Sequence, residues 1–174
     1  MTPKQTMANC QILYQNGYIT YMRTENTKYS ESFLSEMENF IKKKWNDKYI
    51  GNLDSIKNKN NGNPHEAIRV THLEIENINN FENLEDNKKT GKNTGCASLY
   101  KLIWKNTIQS CMSDAKFNRT EAHIKAPLDY YYKHNIDIPF HLGWKIITDD
   151  LRTGEQNSAS GLLMLLQSIE KSNK

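Results

Sequence analysis

The 174-residue sequence has no Cys-x-x-Cys pair, little arginine beside much lysine, and no long apolar run. Its three cysteines, Cys10, Cys96 and Cys111, are odd in number and widely spaced. That spacing argues against a zinc ribbon or a disulfide framework, and they read as reduced, mostly buried thiols of an intracellular protein. The longest apolar run, Leu162 to Leu166, is far too short to span a bilayer. Met1 is followed by polar residues, so no secretory leader is expected. Charge of one sign is also lacking: the net charge is +3, which permits a nucleic-acid partner without requiring one. The basic run Lys42-Lys43-Lys44 reads first as a solvated helix face, and only second as a phosphate track.

What is present is polar. The hydrophobic fraction is 37% and the mean hydropathy −0.80, enough for a modest core in one medium domain or two small ones. The abundance of Lys and Asn fits an A/T-rich coding bias. Thr2-Pro3 predicts a helix start, with Met7, Cys10, Leu13 and Tyr14 at helical spacing and Asn16-Gly17 as the stop. Tyr18 to Met22 are β-branched or aromatic and predict an extended segment. A second helix is expected from about Ser30 to Trp45, with Phe33, Met37, Phe40, Ile41 and Trp45 on one face and capping-box spacing at Ser35 and Glu38. Residues 52–63 read as an exposed loop, Pro64 opens the segment PHEAIRVT, and 76–93 is polar. A third helix is expected over 94–114. Residues 119–126, 129–133 and 136–148 then read as a meander of strands, bounded by Pro127 and a His134-Asn135 turn. The tail from Ser158 to Lys174 alternates small and apolar residues.

The segment richest in chemistry is Gly17-Tyr18-Ile19-Thr20-Tyr21-Met22-Arg23-Thr24. In an extended chain Tyr21 and Arg23 share a face. A phenol is a poor nucleophile at neutral pH, with an ordinary pKa near ~10. A guanidinium beside it favours the phenolate and can neutralise a phosphate, which is the minimal equipment for tyrosine attack on a phosphodiester. By spacing alone, however, most Tyr-x-Arg pairs are surface strand residues.

GYITYMRT resembles the active-site motif of type IA DNA topoisomerases, in which the tyrosine before Met-Arg-Thr is the nucleophile. Three further segments share the resemblance in the same order: TPKQTMANCQILYQNG before the motif, His65-Glu66-Ala67-Ile68-Arg69 after it, and Leu99-Tyr100-Lys101-Leu102-Ile103-Trp104 followed by Gln109 to Met112. The resemblance covers roughly residues 1–148. It implies that Tyr21 attacks single-stranded DNA, leaving a 5′-phosphotyrosyl link and a free 3′-hydroxyl, with no need for ATP. It implies that Arg23 positions the scissile phosphate and that His65 contacts DNA phosphate, against the alternative of a histidine packed at a turn. Arg69 is a candidate phosphate contact or a partner for Glu66, and Thr24 a residue that shapes the site.

Two positions depart from the family pattern. Glu25-Asn26 stands where Asp-Ser is usual, and Val70 where Pro is common, which leaves the geometry of that loop open. The larger departure is the lack of an acidic constellation like that of the family's TOPRIM domain, since Asp149-Asp150 is adjacent rather than alternating. The resemblance therefore implies Mg2+ bound outside this chain, with none expected within it. The tyrosines Tyr130-Tyr131-Tyr132 read as sheet or core packing before base stacking, and His134 and His141 receive no metal.

The reading is an α+β chain, a multidomain topoisomerase fragment. Residues 1–115 form the helical part of the tyrosine-bearing domain, and 116–174 form part of a β-rich hinge or gate domain. The expected partners are single-stranded or negatively supercoiled DNA and the remaining domains of the enzyme, in an intracellular compartment and with no membrane. The competing reading is a non-catalytic single-stranded DNA-binding module whose tyrosine is inactive.

Overall fold

Thr2 caps the first helix, α1 (Pro3–Gln15), through a reciprocal box with Gln5: its hydroxyl accepts from the Gln5 N–H while the Gln5 side chain accepts from the Thr2 N–H. The computed structural model describes residues 1–58, 65–78 and 95–147. They form a mixed α+β structure in two compact units, Met1–Ser113 and Asp114–Lys174. The expected alternation at 158–174, the polar run from 79 on, and Asp149-Asp150 lie outside the described residues.

In the first unit α1 buries Asn9, Cys10 and Leu13, while Met7, placed on the apolar stripe by its spacing, is exposed. The second helix, α2 (Glu31–Lys44), starts after Ser30, whose side chain makes no capping hydrogen bond, and buries Phe33, Leu34, Met37, Phe40 and Ile41. The Ser35/Glu38 capping box does not form. Ser35 already lies inside the helix, where its hydroxyl donates to the Glu31 carbonyl, and Glu38 pairs with Lys42. Lys44 pairs with Glu76 and lies over the rings of Phe40, Trp45 and Trp104. The lysine run is thus a helix face.

The described part of the expected 52–63 loop is ordered more tightly than its composition indicated. Residues Leu53–Ile56 form a 3-10 turn, and Lys57 bridges to Tyr29. Gly51 is required beside it, because a Cβ there would overlap the Met112 carbonyl. The third helix, α3 (Cys96–Gln109), is shorter than expected at both ends. Gly95 caps it in a left-handed conformation, and the chain leaves the helix after Gln109 to join Met112 to Ile50 in an antiparallel bridge. Trp104, Tyr100 and Ile108 are fully buried, whereas Leu102 faces solvent. The polar atoms of the two large rings are matched: the Trp104 indole donates to the Leu73 carbonyl at 2.9 Å and the Tyr100 hydroxyl to Ile75 at 2.7 Å, whereas the buried Arg69 Nε has no hydrogen-bond partner. Burial, with Tyr18 nearby, pushes the Tyr100 phenol up to about 12. All three cysteines are buried and unpaired with one another, and burial raises the Cys111 thiol to about 11.

In the second unit the expected three-stranded meander is a single hairpin, β1 (Lys116–Lys125) antiparallel to β2 (Tyr131–His141). The turn is at Pro127-Leu128-Asp129, where Leu128 and Asp129 both take positive φ. His134 and Asn135, read as a turn, lie in mid-strand opposite Ala122 and Glu121. Polar residues look like a turn in sequence but are tolerated on a ribbon wet on most of its surface. Beyond β2 the chain forms a 3-10 turn, Gly143–Ile147, rather than a strand. Tyr130, Tyr131 and Tyr132 are 71%, 61% and 70% exposed, so they are not packed in a core. Tyr131 stacks on His123 instead, with centroids 5.0 Å apart.

Candidate active site around Tyr21

Three segments of the first unit converge on Tyr21. The first is the end of α1. There the Tyr18 N–H reaches back to the Leu13 carbonyl and the Gly17 N–H to Tyr14, both at 2.9 Å, with Gly17 at φ +74°. This pair of bonds closes the helix and turns the chain at a position only glycine takes without strain. The second is the extended segment 18–22. Its Ile19 and Met22 are buried and Tyr21 is partly exposed, so burial does not follow a strict two-residue alternation and the chain bends at Met22.

The third is the segment 65–71, zipped onto the second. Ile19 bridges Val70, the Thr20 N–H donates to Arg69 at 2.9 Å, and the Thr71 N–H donates to Tyr18 at 3.1 Å. Neither bond uses the Val70 N–H, so these two ladder bonds do not themselves require a residue other than proline there. Thr20 adds a second clasp: its hydroxyl donates to the Ala67 carbonyl and accepts from the Arg69 N–H, both at 2.9 Å.

These joins bring the His65 ring to 4.7 Å from the Tyr21 ring, tilted by 34°, and the Tyr14 ring edge-on at 5.3 Å. Arg23 is exposed, two residues beyond Tyr21 and just past the buried Met22, where the chain bends. Thr24 is half-buried and accepts from the Asn26 N–H at 3.0 Å. Asn26 then accepts from the Lys28 N–H and donates its amide to the His65 carbonyl at 2.7 Å. Asn26 therefore does more than turn the chain: it ties the tyrosine strand to the histidine.

Arg69 is placed differently from the others. Its guanidinium donates to Glu66 at 2.6 Å and to the Val70 carbonyl at 3.0 Å, and lies 3.9 Å from the centre of the Phe33 ring. Its side chain is only 14% exposed. The other Glu66 oxygen accepts the Ser30 N–H at the start of α2. Burial alone would raise the Glu66 carboxyl, but Arg69 and the Ser30 N–H outweigh it and hold the group below its ordinary value. Arg69 thus joins the 65–71 segment to α2, and its charge is spent internally rather than offered to solvent.

Of the sequence-predicted residues, Tyr21 and His65 are in ring contact and Thr24 is joined to His65 through Asn26, whereas Arg23 is exposed two residues on in the chain and Arg69 is turned inward onto Glu66 and Phe33. Tyr14, Thr20 and Asn26 belong to the same site and were missed. Tyr14 read as one of a helical stripe, and nothing in its spacing signals a contact with Tyr21. Among the described residues no three His, Cys, Asp or Glu side chains converge as metal ligands would. A surface cavity of about 270 Å³ lined by Phe40, Lys43, Lys44, Leu73 and Glu74 takes in none of these site residues.

Tyr21 is thus held in ring contact with His65 on a clasped pair of extended segments. The chain belongs to the DNA topoisomerase family, whose model matches residues 1–172. It is similar to DNA topoisomerase 1 of Buchnera aphidicola, with 30% identity over 165 residues, covering 88% of this chain and 18% of that protein. The mimivirus DNA topoisomerase 1 of prokaryotic type is 37% identical over 121 residues, covering 69% of this chain and 13% of its own length. Among solved structures, full-length topoisomerase I from Thermotoga maritima matches with a TM-score of 0.60 and 26% identity, over 82% of this chain and 23% of that one. The chain thus spans less than a quarter of each of these relatives. Among the described residues no helix is long and apolar enough to cross a membrane.

Proposed function

We propose that this chain is the tyrosine-bearing segment of a type IA DNA topoisomerase, acting with further domains of the enzyme on single-stranded or negatively supercoiled DNA inside the cell. The Tyr21 oxygen attacks a backbone phosphorus, an O–P bond forms, and the P–O3′ bond breaks. The phenolic proton ends on the departing 3′-oxygen. One phosphodiester replaces another, so the reverse attack by the 3′-hydroxyl reseals the strand without ATP. The observation that carries this reading is the placement of Tyr21 against His65, beside the solvent-facing Arg23.

Arg23 holds the scissile phosphate and offsets the charge that builds on it, and His65 contacts a neighbouring phosphate. Thr24 shapes the turn through Asn26. Arg69 acts as a positioning residue rather than as the phosphate contact its sequence position invited, because Glu66, Val70 and Phe33 already occupy its guanidinium. Mg2+ is assigned to an acidic site on the remaining domains.

Tyr21→Phe in the full-length enzyme is expected to abolish covalent protein–DNA adducts on a single-stranded oligonucleotide while leaving strand binding intact. Persistent adducts rule out this nucleophile. Unchanged DNA binding by a wild-type enzyme that never forms adducts favours the non-catalytic module.

A further inference from the structure

We infer that Tyr14 is a positioning residue for the reaction, aiming the Tyr21 phenol; the inference rests on Tyr21 being the nucleophile. Tyr14 stands on the last turn of α1, next to Leu13, which is completely buried, and just before the bonds that close the helix. Its backbone is therefore held on both sides. Tyr14 is 39% exposed, so it contributes little to the core compared with Cys10 and Leu13. Its ring meets that of Tyr21 edge-on, at 5.3 Å and 68°.

A tyrosine side chain turns about two torsions: the first sets where its oxygen sits, and the second turns the ring plane and with it the direction of the O–H bond and lone pairs. Backbone bonds fix the Tyr21 strand, through Tyr18 and Thr20, without restraining those torsions. Ring neighbours must do so. His65 supplies one, from a segment tethered by Asn26; Tyr14 supplies a second, from a helix end that the Gly17 turn makes rigid. Aromatic rings favour this edge-to-face arrangement because the positive ring edge meets the negative face. An in-line attack tolerates little misplacement, and an error of about 1 Å can cost ~100-fold in rate. Tyr14 touches Tyr21 through its ring, so its role needs the ring and not the hydroxyl.

The test is single-turnover adduct formation by the full-length enzyme on a single-stranded oligonucleotide, with binding measured separately. Tyr14→Ala should lower the saturating cleavage rate about 10–100-fold and leave the dissociation constant within about twofold. Tyr14→Phe should recover the rate to within about threefold, since it keeps the ring. In the 174-residue chain itself, Tyr14→Ala should shift the Tyr21 ring resonances without loss of cooperative unfolding. If the alanine variant fails to fold, Tyr14→Leu, which keeps apolar bulk but no ring, should show the same slowed cleavage. Wild-type rates in Tyr14→Ala and Tyr14→Leu overturn the inference. So does a loss arising wholly from weaker DNA binding, or a Tyr14→Phe variant as slow as Tyr14→Ala. Adducts that persist in Tyr21→Phe instead sink the nucleophile assignment, whatever Tyr14 does.

Discussion

In Met1–Ser113 the side chains of Trp104, Tyr100, Leu13, Met37 and Ile108 are withdrawn from water, whereas along both strands of the hairpin only Ile136 is buried. The first unit is held by apolar burial, with the buried indole of Trp104 and hydroxyl of Tyr100 each given a carbonyl partner. The ribbon is held by ladder hydrogen bonds and by pairs in water, such as Arg119 with Asp137 and Lys133 with Glu121. Tyr21, the proposed nucleophile, stands on the first kind of structure, where close packing leaves a side chain few alternative positions. The second kind is marginal by itself, since an isolated two-stranded hairpin buries too little to be independently stable.

The contrast predicts graded responses. Trp104→Ala removes a fully buried ring and orphans the Leu73 carbonyl, and should destabilise the first unit by about 3–5 kcal/mol. Hydrogen exchange in 116–141 should be unaltered by it; a matching loss of protection there would show that the two units unfold together.

Glu66→Gln comes next. The Glu66–Arg69 side chains are 22% and 14% exposed, and leaving Arg69 unpaired should cost about 2–3 kcal/mol, below the range for fully buried pairs. The same pair sets a pH dependence. The folded Glu66 carboxyl is held below its unfolded value, so its stabilisation is complete above the ordinary carboxylate range. It is lost as pH falls through the folded value. Acid titration of thermal stability should therefore be shallower in Glu66→Gln than in the wild type, and parallel curves would contradict the linkage.

The smallest effect is expected on the ribbon. Lys133 and then His123 lower the Glu121 carboxyl, and Arg119 lowers that of Asp137, but all these groups are solvent-exposed. Arg119→Ala should leave the melting temperature of the chain unchanged within error and remove only a salt-sensitive increment of hairpin protection. A clear drop in melting temperature would place the ribbon among the cooperative elements of the fold.

Helices were legible where spacing and caps agreed. Thr2-Pro3 and Asn16-Gly17 bounded α1 because capping chemistry is local, and Phe33, Met37, Phe40 and Ile41 marked the buried face of α2 by their period. The hairpin was misread because Pro127 was credited as one boundary and His134-Asn135 as another, although only the former lies at a turn. Polar residues in an exposed strand carry no sign of their partners across the ladder. Met7 was misassigned for a related reason: helical period says which residues share a face, not how wide the buried stripe is.

Taken by itself, the sequence determined the family resemblance and nominated Tyr21 and Arg23, because a run of adjacent residues such as GYITYMRT carries its chemistry in its order. It also determined that α1 must end before that run, since Gly17 is the residue that admits the turn. Only the tertiary structure decided which distant residues attend the tyrosine. His65 and Tyr14 meet Tyr21 through backbone bonds between segments about fifty residues apart and through a helix closure, and Arg69 is drawn inward by Glu66 and Phe33. Those outcomes depend on burial and on pairing across the chain, which no local spacing encodes.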